Sequence, residues 1–282
     1  MNFKTKIIKI KGKNLESFFQ NLVTNDIQLL QNNQALYSAM LTPQGKYLED
    51  FIILKDKDFF LIEVNSQSVD EIIKLISKYD LRQTLSISIA KDINTFCILY
   101  NDLPSSIMTD LSKYKIIKDN NFFIFSDPRK ARYLVRIWVN KKNIKSLPYN
   151  INLDSSSKLL NLERIKNSIP DSSIDLEKEK SFILNFNFDK LNAISFNKGC
   201  YIGQENTSRQ NYRGKIKYLL KTIMLVDGIF PEINTELFSE KQKIGVMKSH
   251  EEKYGLALLK VDSAKKDKIL ALDKINFKFK VI

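Results

Sequence analysis

The sequence predicts an α+β protein built of antiparallel sheets, ending in a small β-barrel. Three observations predict it. Apolar residues come in short runs, several alternating with polar ones, parted by Gly, Asp, Asn and Lys. Only three stretches keep helical spacing. From Lys215 onward, strand-like runs follow one another with no helical stretch between them. At 282 residues the chain is at the upper edge of one hydrophobic core. We therefore divide it into residues 1–90 with 150–214, a middle domain over 91–149, and the barrel over 215–282.

Each element has its own justification. The N-terminal "MNFKTKIIKIKGKN" reads as a first strand. Asn14 can cap a helix on which Leu15, Phe18, Phe19 and Leu22 share a face. "LVTNDIQLL" ends that helix, and "ALYSAML" is a strand. "TPQG" is a turn, with Pro43 and Gly45 in turn-compatible places. "KYLEDFIIL" and "FFLIEV" are strands joined by the charged "KDKD". A second helix starts near Ser68, with Val69, Ile72, Ile73 and Ile76 as its buried stripe. "TLSISIA" alternates as a half-buried strand should. "TFCILY", "NFFIF" and "RYLVRIWV" follow as strands. A third helix runs from Ser157 to Ser168, where Pro170 forbids continuation. Residues 171–180 are polar and read as an exposed loop. "IKYLLKTIMLV", "KIGVMKS", "YGLALLKV" and "INFKFKVI" supply the barrel.

Composition narrows the chemistry. No apolar run approaches the length that spans a bilayer, so no membrane role is expected. The N-terminus lacks a continuous apolar targeting core, which leads us to expect a cytoplasmic bacterial protein. The formal charge is +13, but 38 Lys stand against 7 Arg. Scattered Lys fits a solvated surface; it also fits a basic face for RNA or an acidic partner. The single His, His250, lies in "MKSHEEK", which reads as an exposed hairpin turn, and is a poor candidate for a catalytic base. Two Cys and one His cannot furnish a closed zinc site or a resident four-thiolate cluster. Cys97, in "NTFCILY", reads as core packing. No glycine-rich nucleotide signature is present.

One stretch stands out. "KGCYIGQE", Lys198 to Glu205, places Cys200 between two of only eight glycines. Gly199 and Gly203 are expected to shape a tight turn. Lys198, two residues before the thiol, could lower its pKa and raise its reactivity. Gln204 and Glu205 are expected to hold the loop by hydrogen bonds. Arg209 and Arg213 could offset Glu205 or meet an anion. A buried structural cysteine is the alternative.

"KGCYIGQE" with Arg209 resembles the signature of the YgfZ family, folate-binding proteins related to the glycine-cleavage aminomethyltransferase, or T-protein. "FFQNLVTNDI", "LTPQGKYLEDFII", "DPR", "ERIKNSIP", "KIGVMKS" and "YGLALLKV" resemble family segments in the same order. The resemblance implies a T-protein-like cloverleaf around a hole that admits tetrahydrofolate, with Cys200 at its rim. It implies support for assembly or repair of iron–sulfur enzymes, including a tRNA-modifying one, so tRNA would be met indirectly. Lys198 and Cys200 would carry the activity, with Gly199, Tyr201, Gly203, Gln204, Glu205 and Arg209 supporting the motif. Arg164 would meet the folate glutamate tail, and a monomer is expected. The family's glycine before "IP" is Ser168 here, and the T-protein's carboxylate after its Arg is Lys166. Without that carboxylate, aminomethyl transfer is the weaker alternative. A basic tRNA-binding module is the other.

Overall fold

The computed structural model describes residues 5–148, 151–214, 216–272 and 276–282, with the backbone alone at 113 and 114. The expected strand residues 1–4, the boundary residues 149, 150 and 215, and the Ile275 start of the last strand lie outside the described residues. Three antiparallel sheets fall within residues 5–89, 93–140 and 218–281.

The first sheet has the order β2-β3-β4-β1-β5. β1 (Thr5–Gly12) lies between β4 (Phe59–Asn65) and β5 (Leu85–Ile89), with Ile8 opposite both Ile62 and Ile89. β3 (Tyr47–Asp56) and β2 (Leu36–Leu41) complete it. α1 (Leu15–Leu22) buries Leu15, Phe19 and Leu22, and α2 (Val69–Tyr79) buries Val69, Ile72 and Ile76, while Phe18 and Ile73, expected on the same faces, are only half-buried. β2 is an edge strand, yet all six of its residues are buried. Its free edge is covered: Val23 bridges Met40, and Thr24 N donates to Ala39 O at 3.0 Å. A covered edge cannot recruit a foreign strand.

The second sheet has the order β6-β9-β8-β7, from β6 (Ile93–Leu99), β7 (Ile116–Lys118), β8 (Phe122–Ser126) and β9 (Leu134–Asn140). α3 (Ser105–Tyr114), absent from the sequence reading, packs Ile107 and Leu111 on it. Cys97 is buried here, and burial pushes its thiol up to about 12. Buried charges tie this sheet to the first. Glu63 on β4 accepts from Arg136 Nη1 at 2.6 Å and Trp138 Nε1 at 2.8 Å. Asp127 accepts from Arg136 Nε at 2.8 Å and from Arg129 Nη2 at 2.8 Å. Two carboxylates and two guanidinium groups thus neutralise one another where none could be buried alone.

The third sheet has the order β11-β12-β13-β10-β15-β14. Its strands are β10 (Tyr218–Gly228), β11 (Glu236–Ser239), β12 (Gln242–Glu251), β13 (Tyr254–Lys260), β14 (Ile269–Ala271) and β15 (Phe277–Val281). Ile223, Leu237, Met247, Leu259 and Phe279 form its core. The two strands unforeseen from sequence, β11 and β14, are the short edges. His250 lies in β12 rather than in a turn; it is exposed and stacked on Phe230 at 4.7 Å.

α4 (Ser157–Lys166) stops two residues short of Ser168, whose φ of 54° is left-handed. Residues 171–180 are not simply an exposed loop. They hold α5 (Ser172–Asp175), and Asp175 is fully buried as the partner of Arg164. A charged stretch gives no sign in sequence of a guanidinium waiting elsewhere to receive it.

By contacts the chain divides into two compact units. One comprises Met1–Met40, Glu49–Ser157 and Leu191–Ile202; the other comprises Leu41–Leu48, Lys158–Lys190 and Gly203–Ile282.

Candidate functional site

The Cys200 motif crosses from one unit to the other between Ile202 and Gly203. In the first unit the chain from Asn192 to Ile202 has little regular structure and is held from outside. Thr24 and Asn25, in the "TND" turn, do most of the holding. Thr24 Oγ1 donates to Ala193 O at 2.6 Å and accepts from Ala39 N at 3.0 Å. Its one hydrogen is thereby used, so the 3.2 Å contact with Ser38 Oγ takes Ser38 as donor. Asn25 Nδ2 donates to Tyr37 O at 2.8 Å and Asn192 O at 2.7 Å. Ser195 N donates to Thr24 O, and Ile202 N to Asn21 O.

Lys198 belongs to the same fastening. It is 8% exposed, and its Nζ donates to Val23 O and Asn25 O, each at 2.7 Å. It also lies 5.2 Å from the ring centroid of Tyr201, which is itself buried. Burial lowers the Lys198 amine from its ordinary 10.5 to about 8, against the opposing pull of the Asp26 carboxylate. Cys200 is reduced and exposed, as is Gly199 beside it. Gly199 has no left-handed φ, and a Cβ built on it meets nothing within 4 Å. The expectation that Gly199 shapes a tight turn is therefore corrected: any small residue fits there.

Gly203, in the second unit, is different. Its φ is +83°, and a Cβ there would lie 2.5 Å from Thr42 O. It caps α6 (Gln204–Tyr212), a helix missed from sequence because it is polar all round. The "TPQG" turn docks on this cap. A Cβ on Gly45, φ +74°, would lie 3.0 Å from Gly203 O, and Asn206 Nδ2 donates to Gln44 O at 2.9 Å. Thr207 Oγ1 donates to Gly203 O at 3.2 Å. The bonds that hold this helix start thus come from Asn206 and Thr207, where Gln204 and Glu205 were expected to supply them. Gln204 is half-buried; Glu205, Arg209 and Arg213 are exposed.

Arg164, expected at a folate tail, is 2% exposed. Its five N–H groups go to Asn161 Oδ1 twice, Ile169 O, Asp175 Oδ2 and Ser249 Oγ. So placed, it has no donor left for a ligand and does not fit that task. A cleft of 660 Å³ on the first unit is lined by Asn14, Glu16, Gln20, Asn21, Lys55 and Phe60 among others, with no motif residue. Among the described residues, no three His, Cys, Asp or Glu side chains gather as a metal site.

Comparison with known proteins adds to this geometry. Residues 4–98 match the GCVT N-terminal domain, and residues 219–281 match the CAF17 C-terminal beta-barrel domain. The iron-sulfur cluster assembly factor IBA57 homolog, mitochondrial, of Neurospora crassa is 29% identical, covering 81% of this chain and 54% of that protein. The Dictyostelium discoideum homolog is 26% identical, over 79% of this chain and 62% of its own length. Mouse IBA57 is 24% identical, over 92% and 76%. The chain thus spans between half and two thirds of the first two. The crystal structure of glycine cleavage system aminomethyltransferase T from Bartonella henselae superposes with a TM-score of 0.77, over 99% of this chain and 83% of that one, at 12% identity. The fold is that of the T-protein; at this identity the likeness carries no reaction with it.

Proposed function

We propose that the chain is an accessory factor for the assembly or repair of iron–sulfur enzymes, tRNA-modifying ones among them, and that it acts through Cys200. The observation that carries this is an exposed, reduced thiol on a loop fastened at several points. Its sequence relatives, named as iron-sulfur cluster assembly factors, support the same role. A thiolate is the form of cysteine that attacks or ligates. One thiolate is too few ligands to own a cluster. Cys200 therefore supplies one ligand, or one nucleophilic contact, while a client or a small thiol supplies the rest. The cluster is cargo. Replacing Cys200 by Ala in a strain lacking the chromosomal copy is expected to leave iron–sulfur enzyme activity as low as in the deletion. Full rescue by Cys200→Ala would sink the proposal.

Membership of the YgfZ family and dependence on a tetrahydrofolate are part of the proposal, supported by the motif and by the T-protein fold. The folate contacts would have to come from residues other than Arg164. Calorimetry with tetrahydrofolate tests this; the expected result is saturable binding that survives Cys200→Ala, and no heat would remove folate from the proposal. A cytoplasmic location and a monomeric state complete it, to be tested by fractionation and by sedimentation.

A second reading, a basic RNA-binding surface, is favoured by α6. Arg209, Tyr212 and Arg213 follow at i, i+3 and i+4, and Tyr212 is 69% exposed. No acid occurs between Glu205 and Asp227. Aromatic and guanidinium groups side by side suit a base and its phosphate. A gel shift that persists at about 0.2 M salt would favour this reading over simple phosphate attraction.

A further inference from the structure

We infer that Lys198 is a positioning residue: it latches the Cys200 loop onto the Val23–Asn25 turn, and its hydrogen bonds rather than its charge are what the loop requires. This presupposes that Cys200 is the acting group proposed above. The chain from Asn192 to Ile202 is fastened at Asn192 O, Ala193 O, Ser195 N, the Lys198 head and Ile202 N. Between the last two fastenings lie only residues 199–201. Tyr201 turns inward, so Gly199 and Cys200 are the exposed pair. Removing the Lys198 head would leave Ser195 and Ile202 as the nearest fastenings, seven residues apart in the chain. The thiol would then sweep a wider volume.

Latch and electrostatic tuner differ in what they need. A tuner needs the positive charge. A latch needs two N–H donors, and a neutral amine still has two, one for each carbonyl. The groups that bear on the Lys198 charge are the Asp26 carboxylate and the Tyr201 ring. Neither replaces the two carbonyls as a partner for the N–H donors.

Three variants test the latch: Lys198→Met, Thr24→Val and Thr24→Ser. The readouts are amide hydrogen exchange at Ser195 and Ile202 and the pH midpoint of Cys200 alkylation by iodoacetamide. In Lys198→Met, exchange at both amides is expected to quicken by about tenfold or more, with the alkylation midpoint unmoved. Thr24→Val changes no charge and is expected to quicken exchange at Ser195 comparably, whereas Thr24→Ser keeps the hydroxyl and stays near wild type. In the wild type, protection corrected for intrinsic exchange is expected to hold from about pH 7 to about pH 9.5, as the amine neutralises. A raised alkylation midpoint with unchanged exchange in Lys198→Met would make Lys198 a tuner and overturn the latch. So would wild-type exchange in both Lys198→Met and Thr24→Val. If Lys198→Met fails to fold by circular dichroism, Thr24→Val and the wild-type pH series decide alone. None of these readouts depends on iron–sulfur enzymes. Rescue by Cys200→Ala would remove the thiol's role yet leave the exchange rates as they are, so the two failures are told apart.

Discussion

Gly199 and Gly203 flank the same cysteine and do unlike work. Gly199→Ala is expected to change stability by less than about 0.5 kcal/mol. Gly203→Ala must force a left-handed φ and press a methyl against Thr42 O, costing at least about 1–2 kcal/mol. Urea denaturation of the two variants measures the contrast. The cysteines divide in the same way. Iodoacetate is expected to label Cys200 in the folded protein and to reach Cys97 only after unfolding, as peptide mass spectrometry would show. The pairing of scarce glycine with scarce cysteine was legible in the sequence, and it marked Cys200 as the candidate. The partners of Lys198 were not, since Val23 and Asn25 lie 175 and 173 residues away in the chain. Nor was the self-sufficiency of Arg164, because nothing marks Asp175 or Ser249 as its destination. Nothing in the sequence of the "TND" turn marks it as the anchor of the Cys200 loop, since its partners Asn192 and Ala193 lie far along the chain.

Between elements, the buried charges joining β4 to β9 carry the heaviest consequence. Removing one partner leaves the others uncompensated, so Glu63→Gln is expected to destabilise by about 3–5 kcal/mol. Trp138, the only tryptophan, donates to Glu63, so its fluorescence reports on this junction. Burial by itself would raise the Asp127 carboxyl, but Arg129 and Arg136 overcome it and hold the group well below its ordinary 3.8. The sign follows from linkage. The unfolded carboxyl takes up a proton near 3.8 while the folded one resists, so Asp127 stabilises fully above that pH and less as pH falls below it. Acid titration followed by Trp138 emission is expected to show stability declining below about pH 4, a decline that is shallower in Asp127→Asn. Most strands were legible as short apolar runs bounded by turn residues, with clean two-residue alternation in "TLSISIA". α3 and α6 were not: α6 has no apolar stripe to read, and its cap glycine signals a turn as readily as a helix.

At the scale of the molecule, the fold class was legible from texture and the motif, whereas the grouping into two units was not. Sequence boundaries follow composition, while compactness follows contacts, and "LTPQGKYL" lies inside a stretch that otherwise reads as one sheet. The backbone passes from one unit to the other five times, between 40 and 41, 48 and 49, 157 and 158, 190 and 191, and 202 and 203. A fragment ending at Gly214 would keep Leu41–Leu48 and Lys158–Lys190 but lose the third sheet. It is expected to expose apolar surface and bind a hydrophobic dye that the whole chain ignores. Anyone wishing to graft the Cys200 loop onto another scaffold would therefore find no clean place for the scissors. Each unit is stitched from three lengths of the same thread, and a shuffled gene that swapped either half would have to carry stretches of both.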